Sequence, residues 1–168
     1  MAQTHPMEAR VGRKMQRYGP QGERLIAGIV PLSENKTMVL VLQSQGRPAC
    51  VLPKGGWETD ESTAQVAACR EAWEEAGIRC KNLRDLGTIQ ESRPSTETAS
   101  AQKKSAPPKA VYHFFEATVT EEEENWPEQA KRTRVWVTYN EALDKLKEKP
   151  ELIEALNRSA IKGKPTDR

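Results

Sequence analysis

The chain has 168 residues, of which 36% are hydrophobic and 30% charged, enough apolar material for one core and so for a single domain. Its 26 Lys and Arg nearly balance 24 Asp and Glu, leaving a formal charge of +2, and this balance points to neither a nucleic-acid nor a membrane partner. Three cysteines, Cys50, Cys69 and Cys80, are odd in number, with no CxxC and no nearby histidine; this argues against a disulfide framework or a zinc site and for a reducing compartment.

The opening stretch MAQTHPMEARVGRKMQRYG lacks the apolar core of a signal peptide, and no run reaches membrane-spanning length; the expected location is cytoplasmic, with the nucleus as a second site. Residues 1–16 read as a basic arm, 17–161 as the domain and 162–168 as a tail. RLIAGIVPL (24–32) and TMVLVLQ (37–43) are apolar, β-branched runs separated by SENK, and read as two strands of a hairpin. CVLP (50–53) is a short strand that leads into KGG. Residues 59–62 then carry capping chemistry for a helix that runs to Ala76 and stops at Gly77. NLRDLGTIQES and KAVYHFFEATV flank PSTETASAQKKSAPPK, whose Ser, Thr, Pro and Lys content cannot support a core, so 93–108 is expected as a mobile hairpin loop. TRVWVTY (133–139) reads as a further strand. NEALDKLKEK and PELIEALNRSA read as a helix broken before Pro150, which opens the second part. Strands in both halves around one strong helix make the class α+β, a mixed sheet with helices packed on it.

The central helix carries the chemistry. At about 100° per residue, Glu71, Glu74 and Glu75 share one arc, while Val66, Cys69, Ala72, Trp73 and Ala76 gather opposite, so one face is expected to pack and the other to present acid. Ala64, Ala67 and Ala68 beside the acids are expected to leave room for an ion and a substrate. Hard oxygen ligands suit Mg2+ or Mn2+; three glutamates alone would equally describe a solvated acidic face. The run EEEE at 121–124 reads as a solvated turn, Trp57 as either a base-stacking ring or packing at the helix start, and His5 and His113 as uninvolved.

Gly56, Arg70, Glu71, Glu74, Glu75, Gly77 and Ile78 stand at the offsets of the Nudix box, within the 23 residues from 56 to 78. The chain thereby resembles the hydrolases that cleave a nucleoside or other organic diphosphate. The resemblance implies the Nudix fold, a mixed sheet sandwiched between helices (α/β/α). It also implies that Glu71, Glu75 and the carbonyl of Gly55 bind Mg2+ or Mn2+, that Glu74 is the general base, and that Gly56 and Arg70 support them. One position departs: the box has glutamate eight residues before the arginine, where this chain has Ser62, with Glu61 one place earlier. Ser62 followed by Gln65 reads as a capping box.

Across most of 17–160, LPKGGWE, REAWEEAG, ENWPEQAKRTRVWV and EKPELIEAL resemble the diphosphoinositol polyphosphate phosphohydrolases, particularly the fungal members, which also act on diadenosine polyphosphates. That resemblance implies a small polyphosphorylated substrate, a monomeric enzyme, and a pocket lined by Arg24, Lys109, Arg132 and Lys149, with Lys54, Ser44 and Arg47 as further candidates. Arg13, Lys14, Arg17, Lys131 and Arg134 add to the cation supply. A diadenosine polyphosphate or mRNA-cap hydrolase, and a non-catalytic module that binds a phosphorylated ligand, remain alternatives.

Overall fold

The computed structural model describes residues 6–91 and 109–165. The loop expected at 93–108 and His5 lie outside the described residues. Strands β1 (Arg24–Leu32), β2 (Val39–Ser44), β3 (Cys50–Val51) and β4 (Lys54–Gly56) precede helix α1 (Ala64–Ala76). Strands β5 (Ile78–Gln90), β6 (Ala110–Glu122) and β7 (Arg132–Val137) follow, then helices α2 (Tyr139–Lys145) and α3 (Pro150–Arg158). The seven strands form one mixed sheet in the order β3-β2-β1-β6-β5, with β4 also on β1 and β7 on β2. β1 runs parallel to β6 along its whole length, Arg24 opposite Ala110 and Leu32 opposite Thr118, and antiparallel to β4, Ile26 opposite Gly56.

Alternation along the central strands sorts side chains into two cores, because successive residues of a strand point to opposite faces. Ile26, Val30, Leu32, Val39 and Val41 pack with Leu146, Leu152 and Leu156 of the α2–α3 end. Ala27, Ile29, Leu40 and Leu42 pack with Ala64, Ala67, Ala68, Ala72 and Ala76 of α1. The sheet is therefore sandwiched, α1 on one side and α2 with α3 on the other, which is the expected α+β, three-layer arrangement. β1 is apolar on both faces, as its uninterrupted hydrophobic run requires.

Several local expectations are corrected. The N-cap of α1 is Thr63, whose hydroxyl accepts from the Val66 N–H at 3.2 Å; Ser62 is exposed and one residue too early, so no Ser62–Gln65 capping box forms. The packing face of α1 is only in part the one expected: Ala72, Trp73 and Ala76 are buried as read, but the face is turned toward the acids. The small Ala64, Ala67, Ala68 and Ala72 are buried against the sheet together with Glu71 and Glu75, and Val66 and Cys69 are exposed. The alanines let the helix lie close on the sheet; they do not open space above it. β7 ends at Val137, since Thr138 is the N-cap of α2 and closes a capping box with Glu141. The run 121–124 finishes β6 through Glu122 and faces cations: Arg79 is 3.2 Å from Glu123, and Arg134 3.7 Å from Glu122.

Gly77 ends α1 in the left-handed region (φ 63°), its N–H donating to Trp73 O. A Cβ there would lie 2.7 Å from the Trp126 ring, so both backbone and space demand glycine.

Candidate functional site

β4 brings the glycine turn against the middle of α1. The Lys54 N–H donates to Glu75 Oε1 at 3.1 Å, and a Cβ on Gly55 would lie 2.3 Å from the Glu71 carboxyl carbon. Only glycine allows that carboxylate to close on the backbone. Arg70 joins the parts. Its guanidinium donates to Glu61 through Nε (2.6 Å) and Nη2 (2.9 Å), to the Gly56 carbonyl (2.8 Å), to Glu71 Oε1 (2.9 Å) and to Glu74 Oε1 (3.2 Å). A planar, five-donor fork is the side chain that can satisfy so many acceptors at fixed angles. Glu61 is buried, and a third bond, accepted from the Glu58 N–H (3.0 Å), fixes the loop that carries it. The acid one place early thus pairs with Arg70, and both its oxygens are occupied.

Glu71 and Glu75 are buried. Burial, then the neighbouring Glu75, pushes the Glu71 carboxyl up to about 8, and burial pushes Glu75 up to about 7 against the pull of Arg132 and Lys54. Burial also raises Glu74. Two carboxylates forced together away from water ask for a cation. Among the described residues no three His, Cys, Asp or Glu side chains form a metal-binding group, so the available cradle is two carboxylates and the Gly55 peptide. That hard-oxygen set fits Mg2+, which keeps several positions for water and substrate phosphate.

The expected cations divide into two groups. Lys54 is half-buried, with its ammonium pKa lowered by burial, and it lies within the electrostatic reach of Glu75, Lys149, Arg132 and Glu71. Arg132 reaches Glu75 Oε2 at 3.6 Å and holds Glu128 Oε1 at 3.1 Å. Ser44 sits directly opposite Arg132 in the β2–β7 pairing, and the exposed Lys149 is the N-cap of α3. In the second group, Arg24 starts β1 beside Gly56, with its N–H donating to the Lys109 carbonyl at 3.2 Å, and Lys109 is exposed. Arg47 stands in an exposed turn after Ser44.

Of the remaining residues, Arg134 does different work from that expected, and Trp57 takes the packing alternative. Arg134 lies over the Trp126 ring at 4.1 Å and donates to the carbonyls of Ala76 (3.1 Å) and Gly77 (3.4 Å), so it clamps the end of α1. Arg17 covers Trp57 at 4.5 Å, and the Trp57 N–H donates to Glu61 O at 2.9 Å; that ring packs at the helix entry. His113 contacts Asp85 at 2.8 Å and stacks on Phe115.

Three participants were not foreseen. Buried Gln16 accepts from Arg24 Nε (3.2 Å) and Nη2 (3.0 Å) while its own amide donates to Arg17 O and Leu25 O, aiming Arg24 at the glycine turn. Glu128 holds Arg132, and its N–H donates to Glu74 O at 3.0 Å; the i,i+4 spacing of Glu128 and Arg132 was the available signal. Arg10 bonds Glu58 (2.6 Å) and Asp60 (2.8 Å), and its peptide N–H donates to Glu74 Oε2 at 3.2 Å.

Sheet order, helix placement and this glycine-turn-plus-glutamate-helix arrangement define a class, and comparison with known proteins agrees. The NUDIX domain profile matches residues 22–157. The chain belongs to the NUDIX domain family. It is 37% identical to Nudix hydrolase 16, mitochondrial, of Arabidopsis thaliana over 148 residues, 81% of this chain and 79% of that protein. It is 36% identical to Nudix hydrolase 12, mitochondrial, of the same plant over 154 residues, 82% and 73% of the two chains. In fold it is similar to a NUDIX hydrolase from Nitrosomonas europaea (TM-score 0.62, 15% identity, 81% of this chain and 87% of that one). A MutT chain from work on Aliivibrio salmonicida and Vibrio cholerae also superposes (TM-score 0.56, 13% identity, 80% and 96%).

Proposed function

We propose that this Nudix hydrolase cleaves the diphosphate of diphosphoinositol polyphosphates, releasing the terminal phosphate, and also hydrolyses diadenosine polyphosphates. The observation that carries the reading is the placement of Lys54 and Arg132 at the Glu71–Glu75 pair, with Lys149 close enough to add its charge at Lys54. A ring bearing many phosphates, each of about −1.5 to −2 charge, needs several cations beside the cleavage point.

In this reading Glu71, Glu75 and the Gly55 carbonyl hold Mg2+, with Mn2+ able to replace it. The ion would neutralise the diphosphate and lower the pKa of the attacking water. Arg70 fixes the directions of Glu71 and Glu74, and Glu74 accepts the proton of the water. Lys54, Arg132 and Lys149 bind phosphate near the bond to be cleaved. Arg24, Lys109, Ser44 and Arg47 bind the outer phosphates, Arg24 being aimed by Gln16.

The test is a comparison of Arg132→Ala and Lys149→Ala on a diphosphoinositol and on a diadenosine polyphosphate. Each substitution should weaken the diphosphoinositol by about 1–3 kcal/mol, the scale of a lost charge-assisted hydrogen bond, and the less densely charged dinucleotide by less. Equal, small losses on both substrates would move the assignment to the dinucleotide.

A further inference from the structure

We propose that the N-terminal segment Pro6–Arg10 is a working part of the active site, in which the Arg10 peptide N–H is a positioning donor that holds Glu74 where it acts. The proposal rests on the reading of Glu74 as general base.

The Glu74 carboxylate is held from two sides. Oε1 accepts from Arg70 Nη1 and Oε2 from the Arg10 N–H, both at 3.2 Å. Arg70 is itself fixed by Glu61 and the Gly56 carbonyl, so one donor belongs to the helix and its loop. The other comes from 64 residues away in sequence, and it is anchored independently on both sides of Glu74. Before Arg10, the Trp73 indole N–H donates to the Pro6 carbonyl at 2.7 Å. At Arg10, the guanidinium grips Glu58 and Asp60, whose charges raise its own pKa. The strap then continues into a backbone ladder, Thr59 N–H to Met15 O (2.7 Å) and Arg17 N–H to Trp57 O (2.9 Å).

A cavity of about 380 Å3 lies between the strap and α1, lined among others by Glu74, Arg70 and Glu61. The strap therefore covers Glu74 without filling the space beside it. Each carboxylate oxygen has two lone pairs, so one donor on each leaves room to accept a proton. An unheld glutamate side chain must give up rotamer freedom on reaching one geometry; two donors remove that freedom in advance, and small misplacements of a reacting group have large effects on rate. A donor acting on the base alone should appear in kcat and not in KM.

The experiment uses the full-length chain carrying Arg10→Pro, which deletes the N–H, Arg10→Ala, which keeps the N–H but cuts the grip on Glu58 and Asp60, and Arg10→Lys, which restores a cation. Phosphate release from a diphosphoinositol and from a diadenosine polyphosphate is followed, with Trp emission reporting whether the Trp73 contact is kept. Arg10→Pro should lower kcat about 10-fold or more at nearly unchanged KM, Arg10→Ala should fall between it and the parent, and Arg10→Lys should recover most of the Ala loss. Should the proline variant fail to fold, the Ala and Lys pair decides by the same kcat pattern. A kcat within twofold of the parent in both Pro and Ala variants, or a raised kcat, overturns the proposal provided that Glu74→Gln loses about 100-fold in the same assay. Near-normal turnover in Glu74→Gln instead removes the base reading, and the proposal falls with it.

Discussion

Replacing Glu61 by alanine tests whether the acid at the displaced position does the work that the box assigns one place later. Glu61 accepts three hydrogen bonds, two from Arg70 and one from the Glu58 N–H, and its side chain is 4% exposed against 13% for Arg70. Removing one partner of a buried ion pair costs about 3–5 kcal/mol. Arg70 keeps Glu71, Glu74 and the Gly56 carbonyl, which places the loss at the low end, about 3 kcal/mol. At about 2.1 cal/mol/K of unfolding entropy per residue, 168 residues give roughly 350 cal/mol/K, so Tm should drop by about 9 °C. Ser62→Ala, at an exposed site, should stay within about 0.5 kcal/mol, and Thr63→Ala should lose about 1 kcal/mol with its cap. Differential scanning fluorimetry of the three variants in one buffer checks the order. If Glu61→Ala and Ser62→Ala melt within about 2 °C of each other, Glu61 is not the anchor of Arg70 and the argument fails.

Without metal, the raised carboxyls set a pH dependence. Glu71 and Glu75 lie near 8 and 7, above the ordinary 4.5, so between those values the folded state holds protons that the unfolded chain has released. Stability must fall as pH rises through this window. Tm in excess chelator should therefore decline from about pH 5 to about pH 8 and level off above, and excess Mg2+ should flatten the decline; a Tm that climbs with pH in chelator would contradict the assignment. Glu71→Gln and Glu75→Gln should each raise the Mg2+ concentration needed for half-maximal activity by about 10-fold or more, read from a metal titration at saturating substrate, and an unchanged requirement would place the ion elsewhere.

Local signals were readable where one residue type had one use. Gly77 announced the end of α1 and Pro150 the start of α3, because no other side chain suits those backbone positions. The acids of α1 were also readable, since their charge has few innocent explanations beside a glycine turn. The side of α1 that packs was not. Val66 and Trp73 look like core residues in a helical projection, but a helix lying close on a sheet selects its smallest side chains for contact. Trp73 is instead buried with an indole bond to Pro6, which no periodicity encodes. Ser62 and Thr63 are equally good caps by type, and a one-residue ambiguity is below what composition resolves. Arg10 and Gln16 escaped for a common reason: each acts through partners brought near by the folded chain, and a lone Arg or Gln in a polar stretch carries no mark of that. Arg134 shows the converse, a cation in a promising cluster whose guanidinium is taken up by a ring and two carbonyls.

The long parallel pairing of β1 with β6 has a consequence for how the protein is made. β1 finds β2 and β4 within a few dozen residues, but its other edge must wait for a strand whose first paired residue, Ala110, lies 110 − 24 = 86 positions after Arg24. At about 5–20 residues per second of synthesis, that edge emerges from the ribosome roughly 4–17 s before its partner exists. An apolar strand with unmatched amides is a template for pairing with other chains. Folding of the sheet is thus gated by synthesis of β6: nascent chains halted before Thr118 should be protease-sensitive and adhesive, and resistance should begin only once the last β1–β6 pair has cleared the exit tunnel, becoming complete when α2 and α3 cover the second face.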